Sequence, residues 1–171
     1  AAPYQHISVF IFGTVYNVTY QSDQDLNSEI VKELNKVDQS LSPFNSSSII
    51  SHINRNESVK LNNMFTEVFT LAEKISKETD GAFDITVAPL VNEWGFGFKK
   101  GVEPNKHVID SLKDLVGYNK VRLSDGKIIK KDNRMMLDCS AIAKGYGSDV
   151  VARYLLSKGI TNFMVEIGGE I

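Results

Sequence analysis

Three stretches of this chain combine residue types that can do chemistry. The first runs from Asp80-Gly81-Ala82-Phe83-Asp84-Ile85-Thr86-Val87-Ala88-Pro89 to Trp94-Gly95-Phe96-Gly97. A carboxylate, a proline and clustered aromatics suit a rigid wall around a planar ligand, because ring faces stack with about 0.5–1.5 kcal/mol beyond their burial. The same residues also read as a core loop in which Trp94 and Phe96 fill space. The second stretch, Asp138-Cys139-Ser140-Ala141-Ile142-Ala143-Lys144-Gly145-Tyr146-Gly147, sets an acid just before a helix start. Unpaired amides there favour an anionic group, and Lys144 in the first turn adds positive charge. An acid so placed handles a hydroxyl, an amine or a metal; alternatively Asp138 helps cap the helix and Lys144 is solvated. The third stretch, Glu166-Ile167-Gly168-Gly169-Glu170, puts paired glycines at a strand end, where a ligand can approach the backbone closely.

Other chemistries lack their signatures. Lys144-Gly145-Tyr146-Gly147 has no leading glycine at Walker A spacing, and Gly95-Phe96-Gly97 is not followed by the remaining glycine of a dinucleotide fingerprint. No nucleophile elbow of the G-x-S-x-G kind occurs. His6, His52 and His107 are scattered and form no ligand pair on one helix face. Cys139 is the single cysteine, so neither an internal disulfide nor a thiolate zinc site is available, and its apolar surroundings read as a buried structural thiol. Matches to N-x-S/T at Asn17, Asn45 and Asn56 are short enough to arise by chance.

These stretches must be positioned by elements whose periods the sequence displays. Residues 4–20 alternate apolar and polar as two strands broken at Gly13. Leu26, Ile30, Leu34, Val37 and Leu41 recur at helical spacing over residues 23–41, with Ser22 or Asp23 as cap, and Pro43 with the serines after it makes a loop. A second helix starts at an Asn62 or Asn63 cap and ends at Asp80-Gly81. A long ordered loop is expected over residues 82–101, then a short helix over 108–116. Asp125-Gly126 between two apolar runs predicts a hairpin. A strand over 135–138, a helix from Ser140 to Ser157 closed by Gly159, and a strand over 162–167 complete the series. Helices without regular βαβ alternation, plus a hairpin, make the class α+β.

A chain of 171 residues suits one domain, expected here over residues 1–171. The net charge of −2 offers no basic face, which argues against a nucleic-acid partner. No apolar run approaches the roughly 20 residues of a membrane span. Ala1-Ala2-Pro3-Tyr4 has neither the basic nor the apolar region of a signal peptide, as expected of a mature exported protein or a trimmed chain. Stopping at Gly168-Gly169-Glu170-Ile171, in the middle of a pattern, reads as truncation.

Together the segments resemble the ApbE family. The resemblance is carried in order by Phe12-Gly13-Thr14, by Leu41-Ser42-Pro43-Phe44-Asn45, by the block from Asp80 to Gly97, by Asp138 through Tyr146 and by Glu166 through Glu170. It implies an α+β fold related to the T-fold, and an FAD:protein FMN transferase. With Mg²⁺, such an enzyme moves FMN from FAD onto a threonine of a target protein and releases AMP. It further implies an exported, lipid-anchored protein of the bacterial cell envelope. Its partners would be FAD and a flavin-accepting protein. The positions it marks for FAD fall on Phe12, Phe44, Ala82, Phe83, Asp84, Asp138 and Lys144, with Phe12 and Phe44 on the two faces of the flavin ring. The backbone carbonyl of Ala141 is the position it marks for the metal.

Phe12 stands where Met is usual, Phe44 where Tyr is usual, and Cys139 where Leu is usual. The family's later His-Ile-x-Asp-Pro-x-Thr-Gly and Ala-Asp-Ala…Thr motifs do not occur in the chain, so the C-terminal metal-binding segment is expected to be missing. Two alternatives stand beside the transferase: a Mg²⁺-dependent FAD pyrophosphatase, in which water replaces the threonine, and a catalytically silent flavin-binding fragment, which the missing metal ligands favour for this chain. Self-association or pairing with the missing half is the matching expectation for partners, because the strand over 162–167 has one strongly apolar side.

Overall fold

β1 (Tyr4–Ile11) and β2 (Thr14–Gln21) pair antiparallel in register from Tyr4 with Gln21 to Ile11 with Thr14. The turn between them, Phe12-Gly13, has both residues at positive φ (57° and 68°), the twist that a two-residue hairpin demands. The computed structural model describes residues 1–87 and 106–168. The Trp94 to Gly97 aromatics, most of the loop expected over 82–101, and Gly169 to Ile171 lie outside the described residues.

Two compact units divide the chain, one formed by Ala1–Ser48 with Ser140–Ile171, the other by Ile49–Cys139. In the first, β5 (Phe163–Ile167) joins β2 antiparallel, giving the strand order β1-β2-β5. Tyr16, Val18 and Tyr20 of β2 are fully buried on one face of this sheet, as period-two alternation requires. Helix α1 (Asn27–Leu41) buries Ile30, Leu34, Val37 and Leu41. Its start falls later than the Ser22 or Asp23 cap expected from sequence. The Ser22 hydroxyl accepts the Gln24 N–H in a local turn, and the Leu26 N–H goes to the Tyr20 hydroxyl. That hydroxyl in turn donates to Asn27 Oδ1 at 2.7 Å, so a phenol on the sheet takes part in the helix start.

The second unit holds α2 (Ile49–Asn54), α3 (Asn63–Glu78), α4 (Lys106–Lys113) and the hairpin β3 (Val121–Ser124) with β4 (Lys127–Lys130). Asn62 caps α3 by accepting the Phe65 N–H at 2.8 Å. Asp80 and Gly81, at φ 51° and 81°, turn the chain out of it. Phe65 and Phe69 stack in the core with ring centroids 6.2 Å apart. The short α2 was not legible beforehand; it follows directly on the serine-rich loop and buries Ile49, Ile50 and Ile53.

The strand expected over residues 135–138 does not form. Leu137 instead pairs with a side chain: its N–H donates to Asn54 Oδ1 at 2.8 Å, and Asn54 Nδ2 donates to its carbonyl at 3.0 Å. One amide group thus satisfies the donor and acceptor that a neighbouring strand would have taken. α5 (Ser140–Ser157) follows, and Gly159 at φ 78° ends it.

Candidate functional site

Within the first unit, two of the three chemically suggestive stretches converge, and Thr14 of the β1–β2 turn region joins them. Thr14, Ser140, Ala141, Lys144, Ser148 and Asp149 are among the residues lining an open depression of about 730 Å³, which Ile167 and Gly168 complete. Close packing sets this geometry. A Cβ on Gly147 would stand 2.8 Å from the Tyr16 hydroxyl, so only glycine lets α5 lie this near the sheet. The Tyr16 hydroxyl then donates to the Lys144 carbonyl at 2.8 Å, holding the first turns of α5 against β2. Burial pushes the Tyr16 phenol up to about 12, so it stays a neutral donor. At the other wall, Gly168 (φ 56°) donates its N–H to the Val15 carbonyl at 2.9 Å. A Cβ there would meet the Thr14 hydroxyl at 2.9 Å. The Lys144 side chain is exposed beside these backbone groups and supplies the positive charge expected of it.

Phe12 lies in the β1–β2 turn, and Phe44 packs on the residue after it. The Phe44 ring lies over Gly13, within 3.5 Å of where a Cβ would be, and is 66% exposed. Phe12 is only 3% exposed. A planar ring placed between the two therefore requires Phe12 or its left-handed turn to move, whereas Phe44 presents an open face as it stands.

In the second unit Ala82, Phe83 and Asp84 lie on the segment that leads into Ile85, and that segment is tied to Asp138. The link is Ile85, whose carbonyl accepts the Asp138 N–H at 2.8 Å. Asp84 faces its own chain: Oδ1 accepts from the Thr86 N–H at 2.8 Å and the Thr86 hydroxyl at 2.6 Å, and Oδ2 from the Tyr118 N–H at 3.0 Å. Asp138 is exposed, and Cys139 beside it is buried. Burial, with the charge of Asp138 adding to it, pushes the Cys139 thiol up to about 12, in keeping with an inert structural role.

Metal binding does not follow from the described residues. No three His, Cys, Asp or Glu side chains among them are grouped to hold an ion. Among the described residues lining the depression in the first unit, Asp149 is the single carboxylate, beside the cationic Lys144 and the hydroxyl residues Thr14, Ser140 and Ser148, whereas Mg²⁺ prefers six oxygens of a charged, octahedral set. Sequence reading missed Tyr16, Gly147, Asp149 and Thr86 as contributors. Only Thr86 had a local signal, the Asp-x-Thr spacing that favours an Asx turn.

Strands and helices without regular βαβ alternation, with antiparallel sheets in both units, make the chain an α+β protein. The chain belongs to the ApbE family, whose family model matches residues 12–171. It is 35% identical over 177 residues to the FAD:protein FMN transferase of Vibrio cholerae serotype O1, an alignment covering 97% of this chain and 53% of that protein. The solved flavin transferase ApbE from Vibrio cholerae superimposes with a TM-score of 0.90 at 34% identity, over 99% of this chain and 58% of that one. The flavinyl transferase ApbE of Pseudomonas stutzeri gives a TM-score of 0.88 at 27% identity, over 98% and 60%. The α+β class expected from sequence is therefore the observed one. The chain spans about half the length of the curated relatives it matches.

Proposed function

We propose that the protein to which this chain belongs is an FAD:protein FMN transferase, and that this chain contributes to its FAD site. The reading is carried by one observation: in a member of this family, the exposed Lys144 and the backbone of Gly168 line the same depression. A lysine near a helix N-terminus suits a pyrophosphate. The proposed reaction is an in-line displacement. A threonine oxygen of the target protein attacks the phosphorus on the FMN side, the bond from that phosphorus to the bridging oxygen breaks, and AMP leaves with that oxygen. The threonine proton passes to solvent. In this reading Lys144 and nearby amides hold the pyrophosphate charge and Phe44 packs on the flavin. Mg²⁺ dependence belongs to the proposal for the whole protein. The described residues do not by themselves assemble a ligand set for the ion.

The test mixes the full-length protein with FAD, Mg²⁺ and a threonine-bearing acceptor. Covalently flavinylated acceptor with release of AMP supports the transferase. Free FMN and AMP without labelled acceptor replaces it with the pyrophosphatase, and binding without turnover with the silent flavin protein. An exported, lipid-anchored location is proposed on the family resemblance alone. Recovery of the precursor in the soluble cytoplasmic fraction without lipid would overturn it.

A further inference from the structure

Asp84 stands among the positions proposed for FAD, yet both its carboxylate oxygens are engaged within the chain. The residue that closes this arrangement is Thr86, which has no solvent exposure. Its hydroxyl donates to Asp84 Oδ1 at 2.6 Å and accepts the Gly117 N–H at 2.7 Å, while Tyr118 donates its N–H to Asp84 Oδ2. A hydroxyl has one proton to give and lone pairs to receive, and here both capacities are used. The other end of the loop is pinned as well. Phe83 donates its N–H to the Thr79 hydroxyl at 3.1 Å, and that hydroxyl donates to the Ile75 carbonyl in α3 at 2.8 Å. Ala82 and Phe83 lie between these two anchors, and Ile85, inside the second, takes the Asp138 N–H.

We propose that Thr86 is a positioning residue for FAD: its buried hydroxyl clasps Asp84 to Gly117 and thereby sets the spacing between Ala82-Phe83 and Asp138. The identity of the ligand rests on the function proposed above. Asp84 then acts through the loop it holds, and its carboxylate is a staple.

The experiment uses the full-length protein with Thr86→Val, which keeps the shape and removes the hydroxyl, and Thr86→Ser, which keeps the hydroxyl. FAD affinity is read by flavin fluorescence titration, turnover by KM and kcat, and the clasp by amide hydrogen exchange at Gly117 and Tyr118. Thr86→Val is expected to weaken FAD binding and raise its KM about tenfold, because the loop is no longer pre-organised and binding must reorder it, and to leave kcat within about twofold. Exchange at both amides should accelerate, and Thr86→Ser should restore all of these. Unchanged FAD affinity in a folded Thr86→Val protein overturns the proposal, as does a Thr86→Ser protein no better than Thr86→Val. Should Thr86→Val not fold, the unmutated protein still decides: the Gly117 and Tyr118 amides must exchange slowly without FAD, and fast exchange overturns the clasp. FAD binding without protein labelling overturns the transferase alone and leaves the clasp to be judged by affinity and exchange. No FAD binding overturns both.

Discussion

Cys139 shows how a residue's chemistry is set by where it is buried. Its thiol, enclosed and raised to about 12, carries almost no thiolate near neutrality, and the thiolate is the reactive form. The native protein is therefore expected to resist a thiol reagent such as iodoacetamide and to react once unfolded by denaturant. Rapid labelling of the folded chain would contradict the placement. Tyr16 makes a related prediction about pH. Its phenol is raised from 10.0 to about 12, so the folded state prefers the neutral form more than the unfolded state does. The associated stability is fully present below pH 10 and is lost as pH rises toward 12, by roughly 2–3 kcal/mol. Denaturation curves across this alkaline range should show that loss in the native protein and not in Tyr16→Phe.

Elements sit where they do because small residues permit close contact. α5 carries Gly147 in its interior, a position where alanine would ordinarily raise helix stability by up to about 1 kcal/mol. Here the Tyr16 hydroxyl occupies the space a Cβ needs, 2.8 Å from it. Gly147→Ala is expected to destabilise by about 1–3 kcal/mol through overpacking. Removing the hydroxyl leaves the ring carbons as the nearest atoms, at 3.3 Å and beyond. In a Tyr16→Phe background the same glycine substitution should therefore cost less, and a double-mutant cycle by chemical denaturation reads the difference. Additive costs would mean that the hydroxyl is not what α5 meets. The missing strand over residues 135–138 belongs to the same scale. Asn54 satisfies the Leu137 backbone with one side chain, and no periodicity in the local sequence announces a partner that far away in the chain.

At the scale of the molecule, the first unit is built from both ends of the chain, and the second from the residues between. Among the described residues, β1 and β5 each pair on one side only, with β2. Tyr4 and Phe10 on β1 and Met164 on β5 are exposed, at 65%, 76% and 42%. Unpaired edges beside exposed apolar side chains favour association. Expressed as these 171 residues, the chain is expected to self-associate, or to bind a separately supplied C-terminal half of a family member. Sedimentation at micromolar concentration checks this, and a stable monomer with no apolar dye binding would refute it.

Local physics made much of this protein legible from its sequence. Apolar periodicity placed β1, β2, α1, α3 and β5 to within a few residues, because a helix or strand buries one face at a fixed repeat, and the Ser140 cap with the closing Gly159 placed α5. Asp125-Gly126 announced the β3–β4 hairpin, because a type I′ turn needs two residues at positive φ. The suggestive residues at Asp84, Asp138 and Lys144 were legible as types, and the family resemblance as an order of motifs. Tertiary structure alone decided what those types do. It enclosed Phe12 and left Phe44 open, turned the Asp84 carboxylate onto Thr86 and Tyr118, and laid Gly147 against Tyr16. The Asp84–Thr86 turn aside, these depend on contacts between residues distant in the chain, such as Asp84 with Tyr118 and Gly147 with Tyr16, where burial and the competition for hydrogen-bond partners are settled only by packing.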